Sequence, residues 1–299
     1  MSDDAGRVAF SAVIPTISRP DLLERAVAAL FRCDPAPDEI VVVDGSPDGL
    51  AIPVVESFGG ATAKPPIRHV ASQPGLTRQR NVGLRQCFGD VIAFFDDDAH
   101  VSPDIFAQLG DAYANASVVG ATGRVVEPDD RRFGRKESRM RRLLPGGGGD
   151  GTFTRYGYPR RLTNVDRACD VEFMQGCFMT ARTDIARDVA FDESLAGYGF
   201  VEDEDFSCRL SRRGRIRYLP DAVVHHDNTG FGTRDRRQFG RQVLLGRSYL
   251  FHKNFSPTLL ARAQFGLLVG VLLAHRALNR DWRGAQGLID GSIEIWRQP

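Results

Sequence analysis

Three consecutive carboxylates directly follow an apolar segment in the first third of the chain. Phe94 and Phe95 are succeeded at once by Asp96, Asp97 and Asp98. Carboxylates placed side by side repel one another and raise one another's pKa values unless a cation neutralises them. Hard divalent cations such as Mg²⁺ and Mn²⁺ take oxygen ligands, commonly one or two protein carboxylates together with substrate phosphates. The triplet therefore predicts a site for Mg²⁺ or Mn²⁺.

Two other interpretations of the triplet are an EF-hand calcium loop and an ordinary polar strand end. An EF-hand loop that began at Asp96 would need glycine at its sixth position and glutamate at its twelfth. Val101 and Ala107 stand at those positions, which excludes such a loop. The polar strand end stays open on the triplet alone.

A second acidic cluster, Glu202 to Asp205, lies further along the chain. Acidic side chains favour the first turn of a helix because they interact with the positive end of the helix dipole. Taken alone, the cluster is better explained as a solvated helix start than as a site. Its place after Asp44 and the Asp96 to Asp98 triplet, with a glycine-containing turn directly before it, favours a functional interpretation.

The elements that must position these residues alternate between strands and helices. Continuous apolar strands of this kind imply a Rossmann-like, mostly parallel central sheet flanked by helices, which is an α/β fold. Ligands of such sheets gather beyond the carboxyl ends of the strands, where Thr16, Asp44 and the triplet stand. The strands are predicted at residues 8–14, 40–43, 67–71 and 90–95, and helices begin at Pro20 and near Thr77.

Composition excludes several classes of protein. A chain of 299 residues with 42% hydrophobic and 26% charged residues is ordinary for a folded globular protein, so disorder is not expected. The net charge of +1 offers no case for nucleic-acid binding. The five cysteines are scattered and form no Cys-x-x-Cys zinc motif, which favours free thiols. With a polar start that is no secretory signal, the chain is expected to be cytoplasmic.

Several short motifs occur in a fixed order between Val8 and His226. They are Val13-Ile14-Pro15-Thr16, Asp44-Gly45-Ser46, Gly75, Arg80-Asn81-x-Gly83, the strand that ends in the triplet, Gly176-Cys177-Phe178-Met179, Phe191-Asp192-Glu193, Glu202-Asp203-x-Asp205, and Pro220-Asp221-Ala222 before His225-His226. In that order they resemble the family 2 inverting glycosyltransferases, and the resemblance implies the glycosyltransferase A fold. Val43 departs from the family's Asp-Asp-Gly-Ser turn, but Asp44 keeps the position that usually meets the nucleobase.

On the donor side, the resemblance implies binding of a nucleotide diphosphate sugar, with UDP, GDP or dTDP as the nucleotide. Asp98 would hold the metal, with Asp96 and His226 as further ligands. His225 is the alternative to His226, because neighbouring residues of an extended strand face opposite sides. The nucleotide-sugar contacts implied by the resemblance are Pro15, Thr16, Asp44, Gly75, Arg80, Asp96 and Asp97.

On the acceptor side, the resemblance implies that Asp203 takes the proton of the acceptor hydroxyl and that Glu202 orients Asp203 or the acceptor. An inverting transfer is a single displacement, so it requires a base on the acceptor side and charge stabilisation on the leaving diphosphate. Gly176 and Cys177 would line the acceptor pocket together with Glu202. The acceptor would be a glycan, a lipid-linked sugar or a small molecule.

Two domains are predicted, a catalytic nucleotide-sugar-binding domain over residues 1–232 and a helical C-terminal extension over residues 233–299. The extension is rich in apolar residues, but its longest apolar run, Phe265 to Ala274, is too short to span a bilayer. Packing on the catalytic domain, a homodimer contact and peripheral binding at the cytoplasmic membrane face all explain these residues, and packing is favoured. The segment Arg131 to Gly149 is predicted to be a loop, either a lid or a solvated insertion.

Two other functions compete with glycosyl transfer. A sugar nucleotidyltransferase would need a glycine-rich phosphate loop after the first strand, and Pro15 to Arg19 contain no glycine. A non-catalytic protein that binds carbohydrate or nucleotide sugar would be expected to lack Asp98 or Asp203, and both are present. The sequence therefore predicts a metal-dependent glycosyltransferase.

Overall fold

The computed structural model describes residues 7–128, 144–146, 149–162, 165–195, 200–229 and 235–297. These residues form two compact units. The first unit comprises the described residues of Met1–Pro128 and Asn164–Asp227, and the second comprises those of Asp129–Thr163 and Asn228–Pro299. Most of the loop predicted at Arg131 to Gly149 lies outside the described residues.

The segment 144–162 differs from the predicted domain division, which placed it in the catalytic domain. It belongs to the second unit, because its buried side chains join the apolar core formed by the C-terminal helices. Leu144, Tyr156 and Tyr158 lie in this core with Phe251 and Leu268. The predicted boundary followed position along the chain, whereas the observed grouping follows contacts between distant segments.

A single mixed β-sheet forms the centre of the first unit. Its strands are β1 (Phe10–Thr16), β2 (Glu39–Asp44), β3 (Ile67–Ala71), β4 (Val91–Phe95), β5 (Ala99–Val101), β6 (Val118–Val126), β7 (Cys169–Val171), β8 (Phe178–Arg182) and β9 (Arg215–His226). The helices of the unit are α1 (Pro20–Phe31), α2 (Ala51–Ser57), α3 (Leu76–Gln86), α4 (Ile105–Tyr113), α5 (Thr183–Val189) and α6 (Glu202–Leu210), with a short 3₁₀ helix at Gly60–Thr62.

The strand order is β3-β2-β1-β4-β8-β6-β9-β5, and β7 pairs with β9 beside this path. Strands β1 to β4 are parallel, as are β6 and β9, while β5, β7 and β8 pair with their neighbours in the antiparallel direction. The predicted α/β fold, with a Rossmann-like central sheet flanked by helices, is thereby confirmed, and the sheet is mixed rather than mostly parallel, since four of its eight strand pairings are antiparallel. The carboxyl ends of β1, β2 and β4 meet at one edge of the sheet, as the sequence predicted.

Neighbouring side chains of β4 show that helices cover both faces of the sheet. Phe95 packs against Phe106 of α4 at a ring-centroid distance of 6.4 Å. Phe94 points to the opposite face and contacts Phe206 of α6 at 6.4 Å and Phe191 at 5.2 Å. Because successive strand residues face opposite sides, two fully buried neighbours require a cover on each side.

Strand β9 continues through a proline. Pro220 and Asp221 interrupt the apolar residues of this segment, yet Arg215–His226 form one strand. The proline is accommodated by an irregularity in the pairing with β6, where the partner of Leu219 is Gly123 and the partner of Val223 is the next residue, Arg124. Proline is tolerated at such interruptions because it has no ladder hydrogen bond to donate.

The second unit contains the helices α7 (Arg236–Asn254), α8 (Leu259–Leu278) and α9 (Trp282–Arg297). Helix α9 packs closely on α7 through glycines. A Cβ atom at Gly287 would overlap the carbonyl oxygen of Arg237, and one at Gly240 would overlap that of Gly284. Small residues therefore let these two helix backbones approach each other.

Helix α8 corrects the prediction about membrane spans. The helix has 20 residues and an 18-residue window of mean hydropathy 1.3, so by length and composition it is long and apolar enough to cross a bilayer. The ten-residue run used for the prediction was too short, but Leu259, Leu260 and Leu278 extend the apolar character to both helix ends. Core helices of soluble proteins can have the same length and composition, so this property alone does not identify a span.

Candidate active site

Asp96, Asp98 and His226 form a candidate metal site. One ligand atom from each of the three side chains lies within 4.8 Å of the others. Asp96 and Asp98 follow β4, and His226 ends β9, where it pairs with Ala99 of the short strand β5. His226 Nε2 lies 3.1 Å from Asp98 Oδ1. His225, the alternative named from the sequence, is exposed.

The electrostatics of this cluster favour a positive charge. Burial opposes protonation of His226, but hydrogen bonds with Asp98, Cys177 and Glu127 outweigh it and raise the imidazole pKa. Burial raises the pKa of Asp96, and Arg80 and His226 oppose that rise. Two carboxylates and one imidazole at this spacing suit a divalent cation, with Mn²⁺ and Mg²⁺ matching the oxygen ligands. The residues present therefore fit the predicted metal.

Asp97 points away from this cluster and joins the end of β1. Its Oδ2 accepts a 2.8 Å hydrogen bond from Thr16 Oγ1, and its Oδ1 lies 3.2 Å from Nη1 of Arg19. Burial raises the pKa of Asp97 to about 6, although the bond from Thr16 and the charge of Arg19 oppose this rise. Asp97, the middle residue of the triplet, thus connects the segment after β4 to the end of β1 and the loop that follows it.

Asp44 stands beside Thr16 at the same edge, because the two residues are direct partners in the parallel pairing of β1 and β2. Its carboxylate accepts a 2.8 Å hydrogen bond from the backbone N–H of Ser46 and lies 3.2 Å from His69 Nε2. Burial would raise the pKa of Asp44, but these bonds outweigh it and lower the pKa. An ionised acceptor at this strand end is chemically suited to a donor group such as a nucleobase N–H.

Helix α3 begins after Gly75, whose φ of 137° lies in the region that favours glycine. Gln79 donates to the carbonyl oxygens of Thr16 at 2.8 Å and Val43 at 2.9 Å, so it holds the ends of β1 and β2 at a fixed spacing. Gly83 faces the sheet, where a Cβ atom would overlap Val13. The close approach of α3 carries Arg80 into the interior.

Arg80 links the candidate metal cluster to Glu202 and Gly176. The residue is 1% exposed, and its guanidinium donates to Asp96 and Glu202, each at 3.0 Å, and to the carbonyl oxygen of Gly176 at 2.9 Å. The sequence predicted Arg80 as one of the nucleotide-sugar contacts. In the structure three of its N–H donors bond to protein acceptors, so its observed partners are Asp96, Glu202 and Gly176.

Glu202 and Asp203 open helix α6 beside Gly176. The Oδ2 atom of Asp203 accepts a 3.1 Å hydrogen bond from the N–H of Gly176, and its Oδ1 atom accepts one of 2.8 Å from the N–H of Glu204. Burial raises the pKa of Glu202, as does the neighbouring charge of Asp203, while Arg80 opposes the rise. The arrangement offers one oriented carboxylate, Asp203, next to a carboxyl group that favours its protonated form.

Cys177, predicted to line the acceptor pocket, is buried and hydrogen bonded to His226. Burial raises the pKa of this thiol. Of the acceptor residues named from the sequence, Gly176 and Glu202 therefore lie beside Asp203, whereas the Cys177 side chain lies on the metal side. Its assignment to the acceptor pocket stays a prediction.

Four residues contribute to the site geometry but were not singled out from the sequence for a site role. Glu127 lies 3.3 Å from Nδ1 of His226 and thereby helps to orient the imidazole. The other three are Arg19, His69 and Gln79. Glu127 directly follows strand β6, so its position as a polar residue at a strand end could have identified it from the sequence. Gln79 was detectable only as the neighbour of Arg80.

Comparison with known sequences identifies a family. The family described as Glycosyl transferase family 2 matches residues 11–190 of the chain. A curated relative, "Pre-mycofactocin glycosyltransferase" from Mycobacterium tuberculosis, is 28% identical over 241 residues, which is 79% of this chain and 46% of the relative. The chain thus spans about half the length of the curated relatives that it matches.

Comparison with solved structures reveals the same fold at low sequence identity. A mannosyltransferase from Pyrobaculum calidifontis, in complex with GDP-Man and Mn²⁺, has a TM-score of 0.61 and 15% identity, covering 98% of this chain and 88% of its own. TarS 1-349 from S. aureus, in complex with UDP, has a TM-score of 0.56 and 16% identity, covering 90% and 72%. GalNAc-T7 with UDP, GalNAc and Mn²⁺ has a TM-score of 0.61 and 15% identity, covering 83% and 48%.

Proposed function

The chain belongs to glycosyl transferase family 2, whose match covers more than half of it, and we propose that it transfers a sugar from a nucleotide diphosphate sugar to an acceptor hydroxyl with inversion. One observation carries the proposal. Arg80 bonds simultaneously to Asp96, in the candidate metal cluster, and to Glu202, which precedes the candidate base Asp203. A single displacement needs groups for the leaving diphosphate and for the attacking hydroxyl around one reacting carbon.

The donor would lie at the edge of the sheet where β1, β2 and β4 end. Asp44 would accept a hydrogen bond from the nucleobase, because its carboxylate is ionised and stands at the end of β2. Thr16 and Asp97 are bonded to each other, so they would shape the adjoining pocket for the ribose. Nucleotide sugars with UDP or GDP fit the proposal, since solved relatives of the same fold contain those nucleotides.

Asp96, Asp98 and His226 would hold an Mg²⁺ or Mn²⁺ ion, which when bound stabilises the negative charge of a leaving diphosphate. Glu127 would keep the imidazole oriented through its contact with Nδ1 of His226. Arg80 would keep Asp96 in place from the protein side. Two of the three ligands, His226 and Asp96, are thus supported by a second group, which limits the motion of the cluster.

On the other side of the reacting carbon, Asp203 would accept the proton of the acceptor hydroxyl. Its two oxygens already accept backbone N–H bonds from Gly176 and Glu204, which fix the plane of the carboxylate and leave lone pairs for the hydroxyl. Glu202 would position the acceptor through its own carboxyl group. A glycan, a lipid-linked sugar and a small molecule all offer a hydroxyl of the required chemistry.

The substitution Asp203→Asn tests the base. We expect kcat to fall by about 100- to 10,000-fold, the usual contribution of a general base, while binding of the nucleoside diphosphate stays intact. Release of nucleoside diphosphate from a panel of UDP, GDP and dTDP sugars with Mn²⁺ provides the readout. The matched control is Asp221→Asn, which makes the same change at an exposed position of β9. Full activity of Asp203→Asn would exclude Asp203 as the base.

The donor nucleotide can be identified by thermal shift. A ligand that binds only the folded state raises the apparent stability, by about 2.7 kcal/mol at a concentration 100 times its Kd. We expect one of UDP, GDP and dTDP to raise Tm in the presence of Mn²⁺ and to have a smaller effect with EDTA. Asp44→Asn should reduce this shift without altering Tm of the unliganded protein by a comparable amount.

A further inference from the structure

Helix α9 presents an apolar stripe to solvent. Trp282, Ile289, Ile293 and Trp296 are 65%, 48%, 46% and 92% exposed. Their spacings of seven, four and three residues place them on one side of the helix. The opposite side, which includes Gly287 and other small residues, is buried against α7. The stripe is therefore a surface feature of a helix whose other face already has a partner.

Helix α8 presents a second apolar stripe along its length. Its exposed leucines are Leu259, Leu260, Leu267 and Leu278, which are 88%, 54%, 47% and 85% exposed. A helix of 20 residues is about 30 Å long. One row of exposed residues along the helix contains no charged residue and consists of Leu260, Ala263, Leu267, Gly270, Ala274 and Leu278, while the exposed Arg262 lies outside this row.

The two stripes adjoin. Leu273, Ala274 and Ala277 of α8 line an open groove of about 630 Å³ together with Trp282 and other residues of α9. The exposed faces of both helices therefore form one apolar surface, which we call the α8–α9 surface. Large contiguous apolar patches on soluble proteins usually mark a binding surface for a protein or a membrane.

Acidic and basic residues occupy different places around the α8–α9 surface. The acidic residues of α9 turn towards α7, where Asp290 binds Arg237 at 2.6 Å and Glu294 binds Arg241 at 2.5 Å. Asp281, between α8 and α9, binds Arg276. Exposed arginines lie around the surface at positions 262, 280 and 297, and a fourth exposed arginine, Arg283, pairs with Asp235 at 3.3 Å. The rim is therefore basic, while the carboxylates of this segment are engaged by arginines.

We propose that the α8–α9 surface docks on an anionic lipid bilayer, with both helices lying in the plane of the interface. Tryptophans near the two ends of α9 match the amphipathic headgroup region, and rim arginines match anionic phosphates. Docking of a second copy fits less well. An isologous contact through this surface would bring the same basic rim against itself.

The other faces of the helices favour an in-plane arrangement over a span. Leu268 of α8 is 1% exposed and lies in the core of the second unit with Tyr156 and Phe251, and Phe265 packs on the ring of Phe251 at 5.2 Å. A helix that spans a bilayer alone would expose these side chains to lipid and would leave the core open. A helix with one packed face and one free apolar face suits the interface.

Tryptophan fluorescence of the full chain tests the proposal directly, because the sequence contains only two tryptophans and both belong to α9. The probes are vesicles of phosphatidylcholine with and without phosphatidylglycerol. We expect a blue shift of the emission with the anionic vesicles, quenching by brominated lipid, and weakening as salt is added. An unchanged emission spectrum with anionic vesicles would overturn the proposal.

A matched pair of variants tests whether vesicle binding occurs through the α8–α9 surface. Ile293→Glu should weaken partitioning into anionic vesicles about tenfold or more, since it places a charge where docking would bury an apolar side chain. Ile52→Glu makes the same change at Ile52, which is 41% exposed on α2 in the first unit, and should leave partitioning unchanged. Equal effects of the two variants would contradict the assignment.

Two further outcomes would also overturn the proposal. A concentration-dependent dimer in sedimentation experiments without lipid, lost in Ile293→Glu, would identify a second copy as the occupant. Retention of the protein in membranes during alkaline carbonate extraction would identify a spanning helix. None of these measurements uses enzymatic activity, so their result is independent of the proposed transferase function.

Discussion

Arg80 donates a hydrogen bond of 3.0 Å to Glu202, across 122 positions of the chain, and both residues are buried. The same guanidinium holds Asp96 at 3.0 Å. Through its planar fork of donors, one arginine therefore sets the distance between the carboxylates of β4 and those of α6. This relationship makes Arg80 a positioning residue for both sides of the proposed reaction.

Arg80→Lys should reduce kcat by about 100-fold with little change in the donor KM, because a single ammonium group cannot hold both carboxylates and small misplacements are costly. Steady-state kinetics measure this split. The control is Arg182→Lys, since Arg182 also donates to several partners, the carbonyl oxygens of Tyr113, Asn115 and Val118. That variant should lose stability without a comparable loss in kcat. Equal kinetic losses in both variants would argue against a positioning role.

His226→Gln should weaken Mn²⁺ binding by at least about 10- to 100-fold, the range found even for residues that only support a metal ligand. Titration calorimetry or the electron paramagnetic resonance signal of free Mn²⁺ measures the affinity. His225→Gln is the matched control, because His225 is the exposed neighbour of His226 on the same strand. A loss of affinity in the His225 variant alone would move the ligand to that position.

Glu202 should make stability depend on pH. Its pKa is raised in the folded protein, mainly by burial, so its favourable contribution is complete below the ordinary pKa of glutamate and declines as pH rises through the raised value. Glu202→Gln imitates the protonated form. Between about pH 5 and pH 9, the free energy of unfolding of the wild type should therefore fall relative to that of the variant. Parallel curves from urea unfolding would contradict this expectation.

Gly83→Ala should destabilise the protein by roughly 1–3 kcal/mol, because the new methyl group would overlap Val13 in a closely packed interface. Helix propensity alone would predict the opposite effect, because alanine is favoured over glycine inside a helix by about 1 kcal/mol. Gly110→Ala is the control, since Gly110 also lies within a helix but a Cβ atom there meets nothing within 4 Å. Chemical denaturation should show a loss for the first variant and a gain for the second.

The sequence by itself determined the α/β fold and the positions of the candidate site residues along the chain. Apolar runs followed by Thr16, Asp44 and the Asp96 to Asp98 triplet predict strand ends, since hydrophobic periodicity is a local property. The order of short motifs was sufficient to indicate family 2, and the family comparison confirms it. Helices after residue 234 were likewise readable from the apolar spacing.

Only the tertiary structure decided which of these residues meet. It placed His226 rather than His225 beside Asp98, turned Arg80 towards two carboxylates, and grouped residues 144–162 with the C-terminal helices. It also left the α8–α9 surface exposed. The physical reason is that such relationships depend on strand register and on packing between distant segments, and neither is encoded in the periodicity of any one segment.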